Sequence, residues 1–215
     1  MARRIKTHIR AVKLRRWFPS DDPLAVCVAR LCILREDCFL EMRGFEATEI
    51  SPLDANSDKW RRLYFFRSMI RTLFEIRSTL ETLQRLKDFK TMLRRQTKSK
   101  QAEFGRLVRQ FNTAHGLIKQ IRNALGAHVR HENVERALNE MSYEREGMLE
   151  AGKKLGDTHY KFAAELIVAI LLVGVPDNQQ DAKIERDFRT IAGLFPAFPL
   201  IDDIIAMYAE NKALI

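Results

Sequence analysis

Two stretches of this chain repeat apolar residues at alternating steps of three and four, and that repeat limits the fold more than any other feature. From Trp60 to about Arg95 the repeat runs Phe66, Met69, Leu73, Ile76, Leu80, Leu83. From about Gln101 it returns as Phe104, Leu107, Phe111, Ala114, Ile118, Ile121, Leu125. At 3.6 residues per turn this spacing draws one apolar seam along one side of a helix. Two long helices with matching seams and a short connection predict an antiparallel hairpin within an up-and-down bundle. Gly126 is the expected stop of the second helix. No segment reads as a strand, so the expected class is all-α.

The rest of the chain extends the bundle. Pro19–Pro23 breaks the chain, with Asp22 as N-cap and Pro23 in the first turn of a helix that runs to about Arg43 and ends at Gly44. Residues 44–58 read as a loop. Glu132 to Met141 is expected to be helical, and residues 178–193 and 200–213 are expected to be amphipathic helices separated by Pro196 and Pro199. Residues 157–174 form an apolar helix whose lack of a polar face predicts a place at the centre of the bundle. Its most apolar part, Phe162 to Val175, contains Glu165 and is shorter than the roughly 20 residues of a membrane span. No integral membrane association is therefore expected. The 215 residues suffice for one domain at 21–215, preceded by a basic arm at 1–20.

Nothing in composition opposes a globular reading, with 46% hydrophobic and 30% charged residues. The three cysteines, Cys27, Cys32 and Cys38, share one predicted helix. Cys27 and Cys38 would lie roughly 16 Å apart along its axis, beyond the about 7 Å that a disulfide spans. They read as buried small side chains in a reducing compartment. No apolar leader follows the basic start, and a cytoplasmic location is expected.

The formal charge is +9 and unevenly placed. Residues 1–20 hold seven Lys or Arg and no acid, and residues 59–109 hold fifteen basic and four acidic residues. A surface of this sign suits RNA, or less specifically an anionic membrane. The candidate RNA-binding residues are Arg3, Arg4, Lys6, Arg10, Arg15 and Arg16 in the arm, with Arg94 and Arg95 in the basic run at 90–100. Ile5, Ile9 and Val12 also allow the arm a short amphipathic helix, so a solvated terminus, a phosphate-binding arm and a membrane-surface helix all remain open.

Phosphate-cradling Gly-rich loops, Cys-x-x-Cys, HExxH and Gly-x-Ser-x-Gly are all missing from the sequence. Neither a metal nor a cofactor is expected. What stands out is Ile121-Arg122-Asn123-Ala124-Leu125-Gly126-Ala127-His128, at the end of the second seam helix. Arg3–His8 and Arg109–His115 have similar Arg-to-His spacing. Of the three, only Arg122–His128 sits where a helix is expected to terminate.

This segment resembles the motif of the HEPN superfamily: an Arg, often a polar residue after it, and a His four to six positions further on. The stretch from Tyr64 to Ile76 also looks like an earlier bundle helix of that family, and the resemblance spans about residues 60–175. It implies a metal-independent endoribonuclease, with two protomers joining their motifs across a homodimer cleft, and a toxin or anti-phage role. An antitoxin or another protein partner is a further possibility. The chemistry suits the residues. A His of near-neutral pKa can take the proton from a ribose 2′-OH or protonate the leaving 5′-oxygen. A guanidinium can hold the phosphate and stabilise growing negative charge. On this reading His128 is the acid/base, Arg122 the transition-state stabiliser and Asn123 a positioning residue.

On a continuous helix, residues six apart differ in direction by about 120°, so Arg122 and His128 converge only if the helix stops at Gly126. The competing reading makes both of them caps for the carbonyls of the helix C-terminus. The main functional alternative is a non-catalytic adaptor that binds nucleic acid or a protein. Beyond the motif, His115 reads as a partly buried bundle residue and His131 as a surface one. Glu75 is expected to pair with Arg71 one turn away. Glu165, interrupting an apolar helix, is expected at a solvent edge, paired with a core Arg or Tyr, or orienting Arg122 or His128.

Overall fold

The computed structural model describes residues 12–46, 55–125, 130–147, 149, 160, 162–195 and 197–212, and their side chains except those of 55–59. Among them the helices are α1 (Leu14–Trp17), α2 (Pro23–Glu46), α3 (Ala55–Arg85), α4 (Lys87–Arg94) and α5 (Lys98–Leu125). They are followed by α6 (His131–Glu140), α7 (Phe162–Leu172), α8 (Asp177–Ala192) and α9 (Ala197–Asn211), and no strand occurs among the described residues. The chain is an all-α bundle.

The two seams build its centre. Met69, Leu73, Ile76, Leu80 and Leu83 of α3 are buried, as are all seven seam residues of α5. Helix α3 packs on α5 along one side and on α2 along the other, and α9 leans against α2. Asp22 caps α2 as its sequence predicts, accepting the Leu24 and Ala25 amides at 2.8 and 3.2 Å and pairing with Lys212, just past the end of α9, at 2.8 Å. Burial pushes its carboxyl up, but the Lys212 bond and the two amides outweigh that and leave it low. Trp17 and Phe18 dock on α9 as well: Tyr208 donates its hydroxyl to the Trp17 carbonyl, and the Phe18 ring stacks on it at 5.9 Å. Cys27 and Cys38 are buried and Cys32 is half-buried, all as free thiols. Burial, with Glu41 and Asp37 nearby, pushes Cys38 up to about 12.

Four expectations are corrected. The helix expected over 60–95 starts earlier, at Ala55, and breaks at Leu86, whose backbone is extended (φ −73°, ψ 128°). The cause is legible in the seam, since its next positions after Leu83 would be Lys87 and Lys90. The break re-aims the chain so that Phe89 and Met92 enter the core instead. Second, Gly44 does not end α2, which continues to Glu46. Gly44 is a close-approach site: a Cβ there would lie 2.5 Å from the Phe65 ring of α3. Third, Glu75 reaches Arg30 of α2 and not Arg71. Fourth, α7 is not the central helix. It packs on α5, α3 and α6, yet Leu166, Val168, Ala169 and Leu171 remain only half-buried. Glu165 takes the solvent edge and pairs with Arg145 at 3.1 Å.

One carboxylate sits in the α2–α3 interface. Glu41 Oε1 accepts from Ser68 Oγ and Thr72 Oγ1, at 2.5 and 3.0 Å. Its Oε2 is buried without a hydrogen-bond partner among the described residues. Burial raises the pKa of this carboxyl against the lowering pull of both hydroxyls and of Arg71. A raised folded-state pKa means that the folded chain holds this proton more tightly than the unfolded chain. The group therefore costs least below the unfolded carboxylate pKa, and stability declines as pH climbs through the folded value. Glu41→Gln keeps an acceptor for both hydroxyls and removes the charge. It is expected to melt at or above the wild-type temperature at neutral pH, with the difference shrinking on acidification. Calorimetric scans from about pH 4 to about pH 7.5 check this, and a pH-independent difference contradicts it.

Candidate phosphate site at the end of α5

The carbonyls of the last turn of α5 are satisfied from outside the helix. Arg67 of α3 donates Nε–H to the Leu125 carbonyl at 3.0 Å. Asn133 of α6 donates its amide to the carbonyls of Ala124 and Asn123, at 3.2 and 3.4 Å. The C-terminal caps are thus supplied by α3 and α6. Burial lowers the pKa of Arg67, although a guanidinium stays charged at any physiological pH.

Arg122 does something else. Its guanidinium carbon lies 4.1 Å from the centroid of the Phe74 ring on α3. His115, two turns earlier on the same flank of α5, stacks on that ring with centroids 6.2 Å apart. Residues seven apart are separated by about 10 Å along a helix, so one phenyl ring sits between the two side chains. His115 is half-buried, and its Nδ1 is buried without a hydrogen-bond partner among the described residues.

Asn123 faces the other way, because successive residues on a helix diverge by about 100°. It lines a cavity of about 430 Å³ with Gln120, Arg130, Asn133, Arg136 and Lys183, over an apolar floor from α5 and α7. Arg130 and Arg136 are exposed and have no ion-pair partner among the described residues. Arg130 and Arg136 beside the Gln120 and Asn123 amides make this concavity a candidate site for an anion such as phosphate, while Lys183 is paired with Asp187 and the Asn133 amide with the α5 carbonyls. Sequence reasoning missed Arg130 and Arg136. The available signal was the three-residue spacing of Arg130, Asn133 and Arg136, which fans them over one side of α6.

The structure therefore separates Arg122 from Asn123, and His128 lies outside the described residues. Of the expected RNA-binding residues, Arg3, Arg4, Lys6 and Arg10 also lie outside them. Arg15, Arg16, Arg94 and Arg95 are exposed. Arg95 donates to the Asn211 side chain of α9 at 3.0 Å, close to Tyr208, which holds the base of the arm. These four arginines gather at the end of the bundle where α5 begins. Helix α5 spans residues 98–125, so the cavity lies about 40 Å away at its other end. Among the described residues no group of three or more His, Cys, Asp or Glu could share a metal ion. Comparison with known proteins finds no matching family model, no matching curated protein and no matching solved structure.

Phe74→Leu removes the ring shared by Arg122 and His115 while keeping an apolar side chain. It is expected to lower unfolding free energy by about 1–2 kcal/mol in urea titration. A change below about 0.3 kcal/mol would show that the stacking contributes nothing to stability.

Proposed function

We propose that the chain is a metal-independent endoribonuclease of HEPN type whose substrate phosphate binds in the cavity at the end of α5. The observation that carries this reading is the meeting of Asn123 with the exposed guanidinium groups of Arg130 and Arg136. His128, two positions before Arg130 in the sequence, acts as the acid/base on the ribose 2′-OH or the leaving 5′-oxygen. Asn123 positions the phosphate, and Arg130 and Arg136 neutralise it. Arg122 takes the stabilising role that the resemblance gives it only by leaving Phe74, at a cost of about 1 kcal/mol. With the family reading come a homodimer that pairs two such sites, a cytoplasmic location and a toxin or anti-phage role.

A second reading, a bundle that holds nucleic acid without cutting it, is favoured by the resting place of Arg122. A guanidinium stacked on Phe74 beside His115 already has a structural task.

Cleavage of end-labelled RNA in EDTA separates the two. The nuclease reading expects the wild type to yield 2′,3′-cyclic phosphate ends. His128→Ala is expected to fall at least about 100-fold in rate with RNA affinity little changed. Arg136→Glu is expected to weaken binding itself. If every version binds RNA and none cuts it, the adaptor reading holds. Sedimentation velocity of the wild type tests the dimer.

A further inference from the structure

A helix that is apolar all round is ordinarily buried all round, and α7 is not. Beside it lies a second cavity, of about 420 Å³, walled by Phe45, Leu63, Phe66, Leu171, Ile184 and Phe188. Phe188 anchors this aromatic wall, with its centroid 5.8 Å from that of Phe45 and 6.5 Å from that of Phe66. Phe188 and Ile184 are 43% and 46% exposed, large apolar side chains left at the rim. Phe66 begins the α3 seam but is only half-buried, because this opening lies against it.

The apolar cavity adjoins the polar one. Ile121, Leu171 and Lys183 line both. Lys183 is paired with Asp187, each side chain 16% exposed, so this cation is held in place at the shared wall. An apolar, aromatic-lined cavity of a few hundred Å³ with a small convergent polar cluster is the usual form of a small-molecule site. Sequence alone hides it, because its walls come from α2, α3, α5, α7 and α8.

We infer that this pair of cavities binds a small amphiphilic anion, its hydrocarbon body between α3, α7 and α8 and its carboxylate or phosphate head toward Arg130 and Arg136, beyond the Lys183–Asp187 pair. Charge complementarity chooses this occupant. A neutral apolar ligand would leave Arg130 and Arg136 unused, and a purely polar anion would leave the phenyl wall bare. The inference does not rest on the nuclease reading, although such a ligand would occupy the proposed phosphate site and compete with RNA.

Isothermal titration of the full chain with octanoate, decanoate and 1-octanol tests it. Octanoate is expected to bind, decanoate roughly tenfold tighter, and 1-octanol at least tenfold weaker than octanoate. Phe188→Ala and Ile184→Glu, both at exposed rim positions, are each expected to weaken decanoate at least tenfold. Circular dichroism of both variants checks that the fold is retained. Arg130→Glu with Arg136→Glu is expected to erase the preference for acid over alcohol. Equal binding of acid and alcohol, or affinities unchanged by the rim variants, overturns the proposal. So does a chain that ignores all three probes but dimerises through Phe188 in sedimentation velocity, which gives the face to a second copy. Phe188-dependent sedimentation with phosphatidylglycerol vesicles that decanoate does not displace assigns the cavity to a membrane lipid and overturns a free ligand.

Discussion

The packing of α3 against α5 holds everything else in place. The buried seams of both helices lie in one core, with α3 packed on α2 as well as on α5, and in an antiparallel pair that fixes the axial register. Register brings Arg67 to the last carbonyl of α5 and Phe74 between Arg122 and His115. A slip of one helical turn, about 5.4 Å, would break both sets of contacts. The end of α5 is thus located by hydrophobic burial many residues away, and its polar partners can be few.

That division explains what the sequence discloses. Seams are periodic and long, so they reveal the hairpin, and the same periodicity contains the break at Leu86, since Lys87 and Lys90 occupy the next inward positions. Gly44 shows the limit of local rules. A glycine near a helix end reads as a stop, and only the approach of Phe65 from another helix reveals that it is there for space. The apolar α7 misleads for a related reason. Hydrophobicity states what a side chain would gain from burial, not whether this chain alone provides the cover.

The candidate site was legible in its components and illegible in its assembly. That Arg122 and Asn123 diverge follows from helix geometry. Which of them faces open space depends on α6, α7 and α8, whose placement no spacing encodes. The capping role expected of Arg122 is filled by Arg67, distant from it in sequence, and by Asn133 of the next helix. Arginine in a chain this basic has many possible tasks, and only contacts distinguish them.

Charge placement adds a constraint of scale. The exposed arginines near the start of α5 stand about 40 Å from the cavity at its end. The Debye length at physiological salt is about 8 Å. Over five such lengths the basic end exerts no useful attraction on a phosphate in the cavity. If both ends serve one nucleic acid, they do so by touching separate parts of the strand. At the about 3.4 Å axial rise per nucleotide of a helically stacked strand, the strand between them is about a dozen nucleotides long. A shorter helically stacked strand can meet the chemistry or the anchor, but not both, so the length of the bundle itself would select among structured substrates.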